Sequence, residues 1–355
     1  MVNLEVDEFH VGFSADFRDQ CGQLLFPDIG LSLLDQASGV SYEFLSEYLP
    51  EYAPDQLTGY DVLISLKAKV TRQSLKGASR LCAIGRCGVG YDNVDLKACT
   101  EQDIAVYITP NGVVRPVAES IALYVLALSH NLVLKDRMIR RGQWAESTRQ
   151  LGQEPRDRTV GTIGLGNIAS EAVRLLRPFG VGRFLACDPY VSIPQAGVEM
   201  VPLDELLRES DYVLVNCPLT PETTGLLGKQ QFAMMKPRAV VINTARGAII
   251  DQAALIEALQ ARTIRAAALD VFEREPLDVG SPLIAMDNVI LSSHSIAWSE
   301  ELFRDMGRMD CEGALAVRRG EAPAHVLNRE VLTRPGFLQK LERWKIAADP
   351  SEVSR

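Results

Sequence analysis

The sequence predicts an α/β protein of two domains, each a doubly wound parallel sheet with helices on both faces. Three observations carry this. Short apolar runs alternate with helix-patterned segments along most of the chain, the pattern that builds parallel sheets with covered faces. At 355 residues the chain exceeds what one simple core organises. Residues 159–188 read as strand, glycine turn, helix, strand and acid, the unit around which such a sheet forms.

In residues 1–110, Val62–Ser65, Leu81–Ile84 and Ile104–Ile108 are short apolar runs of strand type, and Thr71–Ala78 has a helical pattern. Between them lies Gly85-Arg-Cys-Gly-Val-Gly-Tyr-Asp-Asn-Val-Asp95. Two glycines after a strand expose consecutive backbone N–H groups, which suit a carboxylate. The plainer reading is a turn that caps the next helix, with Asp92 or Asn93 as N-cap. Residues 110–116 read as a connector. A helix from Val117 towards Arg141 follows, with Glu119 in its first turn. Its section Ile121–Leu128 is apolar nearly all round and must be buried on several sides, between domains or at a subunit interface. Residues 142–158 are polar and irregular, an arm with Trp144 as its anchor.

In the central unit, Val160–Ile163 is the strand, and Ile168, Ala172, Val173, Leu176 and Phe179 follow the turn at helical spacing, with Gly180 as the stop. Gly164 permits the tight turn, Gly166 lets the backbone approach a pyrophosphate, and Ala169 keeps the helix close to the strand. The free N–H groups at the head of the helix, Asn167 and Ile168, attract phosphate. Asp188 stands at about the distance where a carboxylate holds the adenosine ribose diol. The unit therefore predicts a dinucleotide site. The acid, with no cation at Pro189 or Tyr190, favours NAD over NADP.

The alternation continues to about residue 295. Strand-like runs are Tyr212–Val215, Ala239–Asn243, Ala266–Leu269 and Val289–Leu291. Helix-like segments are Leu203–Glu209, Lys229–Met235 and Asp251–Ala261. In parallel sheets ligands sit at the carboxyl ends of strands. Three segments place useful chemistry there: 243–247 with Arg246, 270–276 with Asp270 and Glu275, and 292–295 with His294. Arg grips a carboxylate, His exchanges a proton near neutral pH, and Glu orients the imidazole. Singly, each has a bland reading: a surface salt-bridge former, a solvated loop acid, a core histidine. Residues 298–330 read as one more helix and an extended end, and 331–355 as a polar tail containing Trp344.

Composition narrows the function classes. Net charge of −9 argues against a nucleic-acid or anionic-membrane surface. The seven cysteines are odd in number and scattered, which suits reduced, buried thiols in a cytoplasmic protein. Neither they nor the four histidines have metal-ligand spacing, so no metal is expected. The amino terminus has no signal-peptide pattern, and no apolar run reaches membrane-helix length.

From about 60 to 328 the chain resembles the D-isomer-specific 2-hydroxyacid dehydrogenases, and within them the phosphoglycerate-dehydrogenase-like group. The resemblance rests on 85–95, on Gly164-Leu-Gly-Asn-Ile168, on 216–223 and 242–247, on 269–276, and on His294. It implies two Rossmann-like domains. An NAD-binding domain, 112–297, is inserted in a discontinuous, flavodoxin-like substrate domain, 1–111 with 298–330. It implies a homodimer and interconversion of a D-2-hydroxy acid with its 2-keto acid. By matching positions, His294 would be the acid–base residue paired with Glu275, and Arg246 would bind the substrate carboxylate. Asp270 would hold the nicotinamide carboxamide, and Cys217, Pro218, Thr223, Thr244 and Ala245 would line the cofactor. The turn Gly88–Gly90, with Val89 between and Arg86 beside it, would meet the substrate carboxylate.

Some positions depart from the family pattern. Ser293 stands where the family usually has Pro. Residues 65–69 lack the arginine that phosphoglycerate-type members use for phosphate, and there is no room for their regulatory domain; both count against 3-phosphoglycerate. Lys67, Arg86 and Arg115 remain as candidates for an anionic substrate tail, and Trp298 as a pocket wall or core aromatic. The alternatives weighed are an NADH-sensing, corepressor-like binding protein, and phosphite- or formate-type oxidation on the same fold.

Overall fold

The computed structural model describes residues 8–345, so the readings at 1–7 and 346–355 lie outside the described residues. The chain divides into two units. One runs to Val113 and resumes at Ser299, and the other is Val114–Trp298.

The first unit holds five parallel strands: β1 Phe9–Phe13, β2 Val40–Phe44, β3 Val62–Ser65, β4 Ala83–Arg86 and β5 Ala105–Ile108. Their order is β2-β1-β3-β4-β5, the flavodoxin-like arrangement. β3 and β4 are buried almost throughout; β3 has the bounds of its apolar run, whereas β4 starts two residues after the expected Leu81 and ends on Arg86. β1 and β2 do not, because His10 and Glu43 interrupt them and β2 is a half-exposed edge.

Thr71–Ala78 forms turns rather than the expected helix. The Thr71 hydroxyl accepts from Gln73 N and Ser74 N, and the Ser74 hydroxyl from Thr71 N; side chains thereby replace the helical ladder. The helix Leu96–Glu101 is capped by Asp95, which accepts from Ala98 N at 2.9 Å, not by Asp92 or Asn93. The Asn93 amide instead donates to the carbonyls of Lys67 and Ala68.

The expected tail is partly folded. Helix Pro335–Lys345 buries Phe337, Leu341 and Trp344, and Trp344 meets Phe9 edge-on at 5.0 Å. Its Lys340 ammonium donates to the carbonyls of Leu81, Gln102 and Asp103. Polar composition concealed a single apolar stripe.

The second unit holds seven parallel strands: β6 Thr159–Ile163, β7 Arg183–Cys187, β8 Glu199–Met200, β9 Tyr212–Val215, β10 Val240–Asn243, β11 Ala266–Leu269 and β12 Val289–Leu291. Their order is β12-β11-β10-β9-β6-β7-β8. This is the Rossmann order with one added strand, and the order reverses between β6 and β9.

The segment read as a connector, 110–116, is the start of helix Pro110–Ser129. Pro110 takes the first position, where its missing N–H costs nothing. Pro116 interrupts the ladder, and its carbonyl accepts the Ser120 hydroxyl at 2.8 Å. The helix is long and apolar enough by length and composition to cross a membrane. Its Ala118, Ile121, Tyr124, Val125 and Leu128 are instead packed in the core of this unit. It ends at Ser129, and a second helix, Leu132–Arg140, follows after Asn131 in the left-handed region.

Candidate active site

The glycine turn sits at the point of strand-order reversal. Gly164 has φ of +90°, and a Cβ there would meet the Asn216–Cys217 backbone at 2.8–2.9 Å, so only glycine fits. A Cβ on Gly166 would meet open space, at the head of helix Asn167–Leu176. Close backbone approach and free helical N–H groups are what a pyrophosphate needs.

Asp188 follows β7 and reaches back to this turn: Oδ2 accepts from Leu165 N and Oδ1 from Tyr190 N, both at 2.8 Å. Each oxygen keeps a second lone pair. The residues present thus fit a dinucleotide. Cys217 is buried, and burial pushes its thiol up to about 11. The Thr223 hydroxyl donates within its own loop to Pro218 O at 2.7 Å.

Arg246, Glu275 and His294 come from the loops after β10, β11 and β12 of this same sheet. His294 Nδ1 and Glu275 Oε2 are 2.9 Å apart, and Phe272 N donates to Glu275 Oε1 at 3.1 Å. Burial opposes ionisation of Glu275. The His294 hydrogen bond and charge, the Phe272 N–H and the Arg246 charge outweigh it and hold the carboxyl below its ordinary range. Gly247 explains why Arg246 lies near: a Cβ there would fall on the Phe272 backbone, so the two loops touch main chain to main chain. Arg246 Nη1 donates to Ala245 O at 2.7 Å.

Asn243 and Ser292, which help set this geometry, were not singled out from sequence. Buried Asn243 donates to Arg246 O and accepts from Ala245 N, bracing the loop that contains Thr244. Ser292 donates to Asp270 Oδ1 and bonds the Tyr124 hydroxyl. Asp270 Oδ1 also accepts from Ser295 N and Ile296 N, while Asp270 O accepts from His294 N at 2.7 Å. Asp270 therefore shapes the His294 loop, a role its position alone did not signal. His294 itself has φ of +56°, a conformation that this collar of bonds sustains. The one available signal was the run of short polar residues around His294.

In the first unit, the turn after β4 departs from expectation at Gly88. Its N–H is committed to Thr109 Oγ1 at 2.7 Å, because the peptide faces β5's end rather than open space. The Arg86 side chain folds over Gly88 and donates to Cys87 O, which is why a Cβ has no room there. Consecutive donors at this turn reduce to Val89 and Gly90.

Arg115 pairs with Glu119 and Glu171. Trp298 is 42% exposed, so it is not a core aromatic.

Residues 122–295 match the family model described as D-isomer specific 2-hydroxyacid dehydrogenase, NAD binding domain. A glyoxylate reductase of Korarchaeum cryptofilum is 36% identical over 286 residues, which is 78% of this chain and 86% of that protein. A D-3-phosphoglycerate dehydrogenase of Methanocaldococcus jannaschii is 38% identical over 300 residues, 83% of this chain and 55% of that protein. The chain thus spans about half the length of the phosphoglycerate dehydrogenases it matches. A solved structure from Thermus thermophilus matches with a TM-score of 0.79 at 29% identity, over 90% of this chain and 100% of that one.

Proposed function

The chain belongs to the D-isomer specific 2-hydroxyacid dehydrogenase family and carries its NAD-binding domain, and from that premise we propose that it interconverts a D-2-hydroxy acid and its 2-keto acid. The observation that carries the reading is the His294–Glu275 pair at 2.9 Å, with Arg246 held beside it. NAD, when bound, supplies or takes the hydride.

Gly164, Gly166, Asn167 and Ile168 hold the pyrophosphate, and Asp188 the ribose. Cys217, Pro218, Thr223, Thr244 and Ala245 line the rest. Asp270 meets the nicotinamide carboxamide while bracing the His294 loop. Arg246 takes the substrate carboxylate in a two-bond fork. With Nδ1–H directed to Glu275, Nε2 of His294 faces the substrate oxygen. In reduction, Nε2–H of the imidazolium passes its proton to that oxygen; in oxidation, Nε2 takes it back. Ionised Glu275 favours the imidazolium and fixes its ring. Residues 112–297 make up the nucleotide domain in this reading, and 1–111 with 298–330 the substrate domain.

Relatives named glyoxylate reductase match over most of their length, which puts short 2-keto acids first among substrates. The exposed Leu132, Ile139, Trp144 and Leu151 support a homodimer.

The deciding experiment is NADH consumption across glyoxylate, pyruvate, hydroxypyruvate, bulkier 2-keto acids and phosphorylated ones, repeated with NADPH. Turnover of an unphosphorylated 2-keto acid with NADH is expected. Tight NADH binding without turnover on any of them would overturn the enzyme reading and favour a sensor.

A further inference from the structure

In the first unit, helix Glu300–Arg318 packs on β4 and β5 with no room for a side chain between. A Cβ on Gly85 would meet Asp310 Oδ1 at 2.7 Å and the Tyr107 hydroxyl at 2.6 Å, and a Cβ on Gly313 would fall on the Tyr107 ring. The Tyr107 hydroxyl donates to the Asp310 carbonyl at 2.7 Å, so its proton is not spent on the carboxyl. Asp310 is fully buried, and neither carboxyl oxygen has a hydrogen-bond partner of ordinary geometry among the described residues. The titratable and charged groups facing it are Arg86 and Cys87 from the end of β4, Tyr107 from β5 and Cys311 from its own helix. The thiols among them are weak donors, and a carboxylate needs strong ones.

The carboxyl thus lies against Gly85 and Cys87, which lead into the turn that ends at Gly90. Cys87 N donates to Ser65 O at 2.9 Å and Gly88 N to Thr109 Oγ1 at 2.7 Å, while Arg86 folds back onto Cys87 O. A neutral carboxyl fits this dry contact. Ionised, it is a buried charge that meets no strong donor, and its cost falls when the 85–88 backbone parts from the helix and admits water. Burial pushes the carboxyl up to about 7, against the lowering influence of Cys87 and Arg86, so the change of state falls near neutral pH.

We propose that Asp310 is a positioning residue whose proton latches helix Glu300–Arg318 to the 85–90 turn: the neutral acid holds the turn in place, and ionisation releases it. In the function proposed above this turn belongs to the substrate domain, and the catalytic consequence rests on that reading. Release of the turn weakens 2-keto acid binding and leaves NADH binding unchanged. His294 also exchanges a proton in that reaction, so the effect of Asp310 is read as a difference from a variant that is neutral at every pH.

The test compares the full chain in wild type and Asp310→Asn, in two arms. The first is amide hydrogen exchange in a peptide covering residues 84–90, corrected for intrinsic rates. Protection in wild type should fall about tenfold at about pH 8, one unit above the titration, and stay level in the variant. The second is KM for a 2-keto acid with NADH. Its rise between about pH 6 and about pH 8 should be about tenfold larger in wild type than in the variant, with NADH affinity equal in both. Where Asp310→Asn fails to fold, Asp310→Ala is equally neutral and gives the same comparison. Exchange that changes alike in wild type and variant overturns the proposal, with or without turnover. An exchange difference beside identical KM profiles overturns the positioning role. An exchange difference in a protein that reduces no 2-keto acid upholds the latch and counts against the dehydrogenase reading alone.

Discussion

At the scale of single residues, the proposed site stands on one hydrogen bond. His294→Ala should lower turnover by about 10²–10⁴-fold while leaving NADH binding in a fluorescence titration intact. Retained turnover would remove His294 from the chemistry. Glu275 is held ionised below its usual range by His294, so it remains charged throughout the neutral region. Glu275→Gln removes the charge that favours the imidazolium. The kcat of reduction should therefore fall while NADH binding stays intact, a split that a merely structural glutamate would not produce.

Asp310 titrates in the opposite sense. Burial raises its carboxyl to about 7, against the Cys87 hydrogen bond and the Arg86 charge, which lower it. The native state then binds more protons than the unfolded chain between 3.8 and about 7, so stability falls as pH rises through that window. Asp310→Asn should be most stabilising, by on the order of a few kcal/mol, at about pH 8 and least at about pH 4. A melting-temperature difference that does not change with pH would contradict this.

At the scale of elements, what matters is how loops are braced. The Arg246 loop reaches Glu275 because Gly247 lies on the Phe272 backbone. Gly247→Ala should separate the two loops, costing about 1–3 kcal/mol of stability and lowering kcat more than NADH affinity. A variant with wild-type kcat would show that the contact positions nothing. Element existence was legible wherever burial imposed an apolar run: β3, β9, β11, β12 and helix Leu203–Glu209 have the expected bounds. It failed where local side chains compete with the ladder, as at Thr71 and Ser74, or where packing overrides punctuation, as at Pro116.

At the scale of the whole molecule, the carboxyl-terminal helix is part of the first unit. Trp344→Ala should cost about 3–5 kcal/mol, measured by chemical denaturation; a change below 1 kcal/mol or so would mean the helix is dispensable. The sequence by itself determined the fold class, the order of most strands and helices, the glycine turn with its acid, and the identities of Arg246, Glu275 and His294. These are properties of short stretches, written in local spacing, and the family resemblance added their roles. Only the tertiary structure decided that Gly88 spends its N–H on Thr109, that Asp270 braces the His294 loop, and that Arg265 Nε and Nη2 are buried without a hydrogen-bond partner among the described residues. Each depends on which distant backbone or side chain arrives at a polar atom, and residues 21 and 22 positions apart, as at Gly88–Thr109 and Asp270–Ser292, meet only once the sheet is assembled.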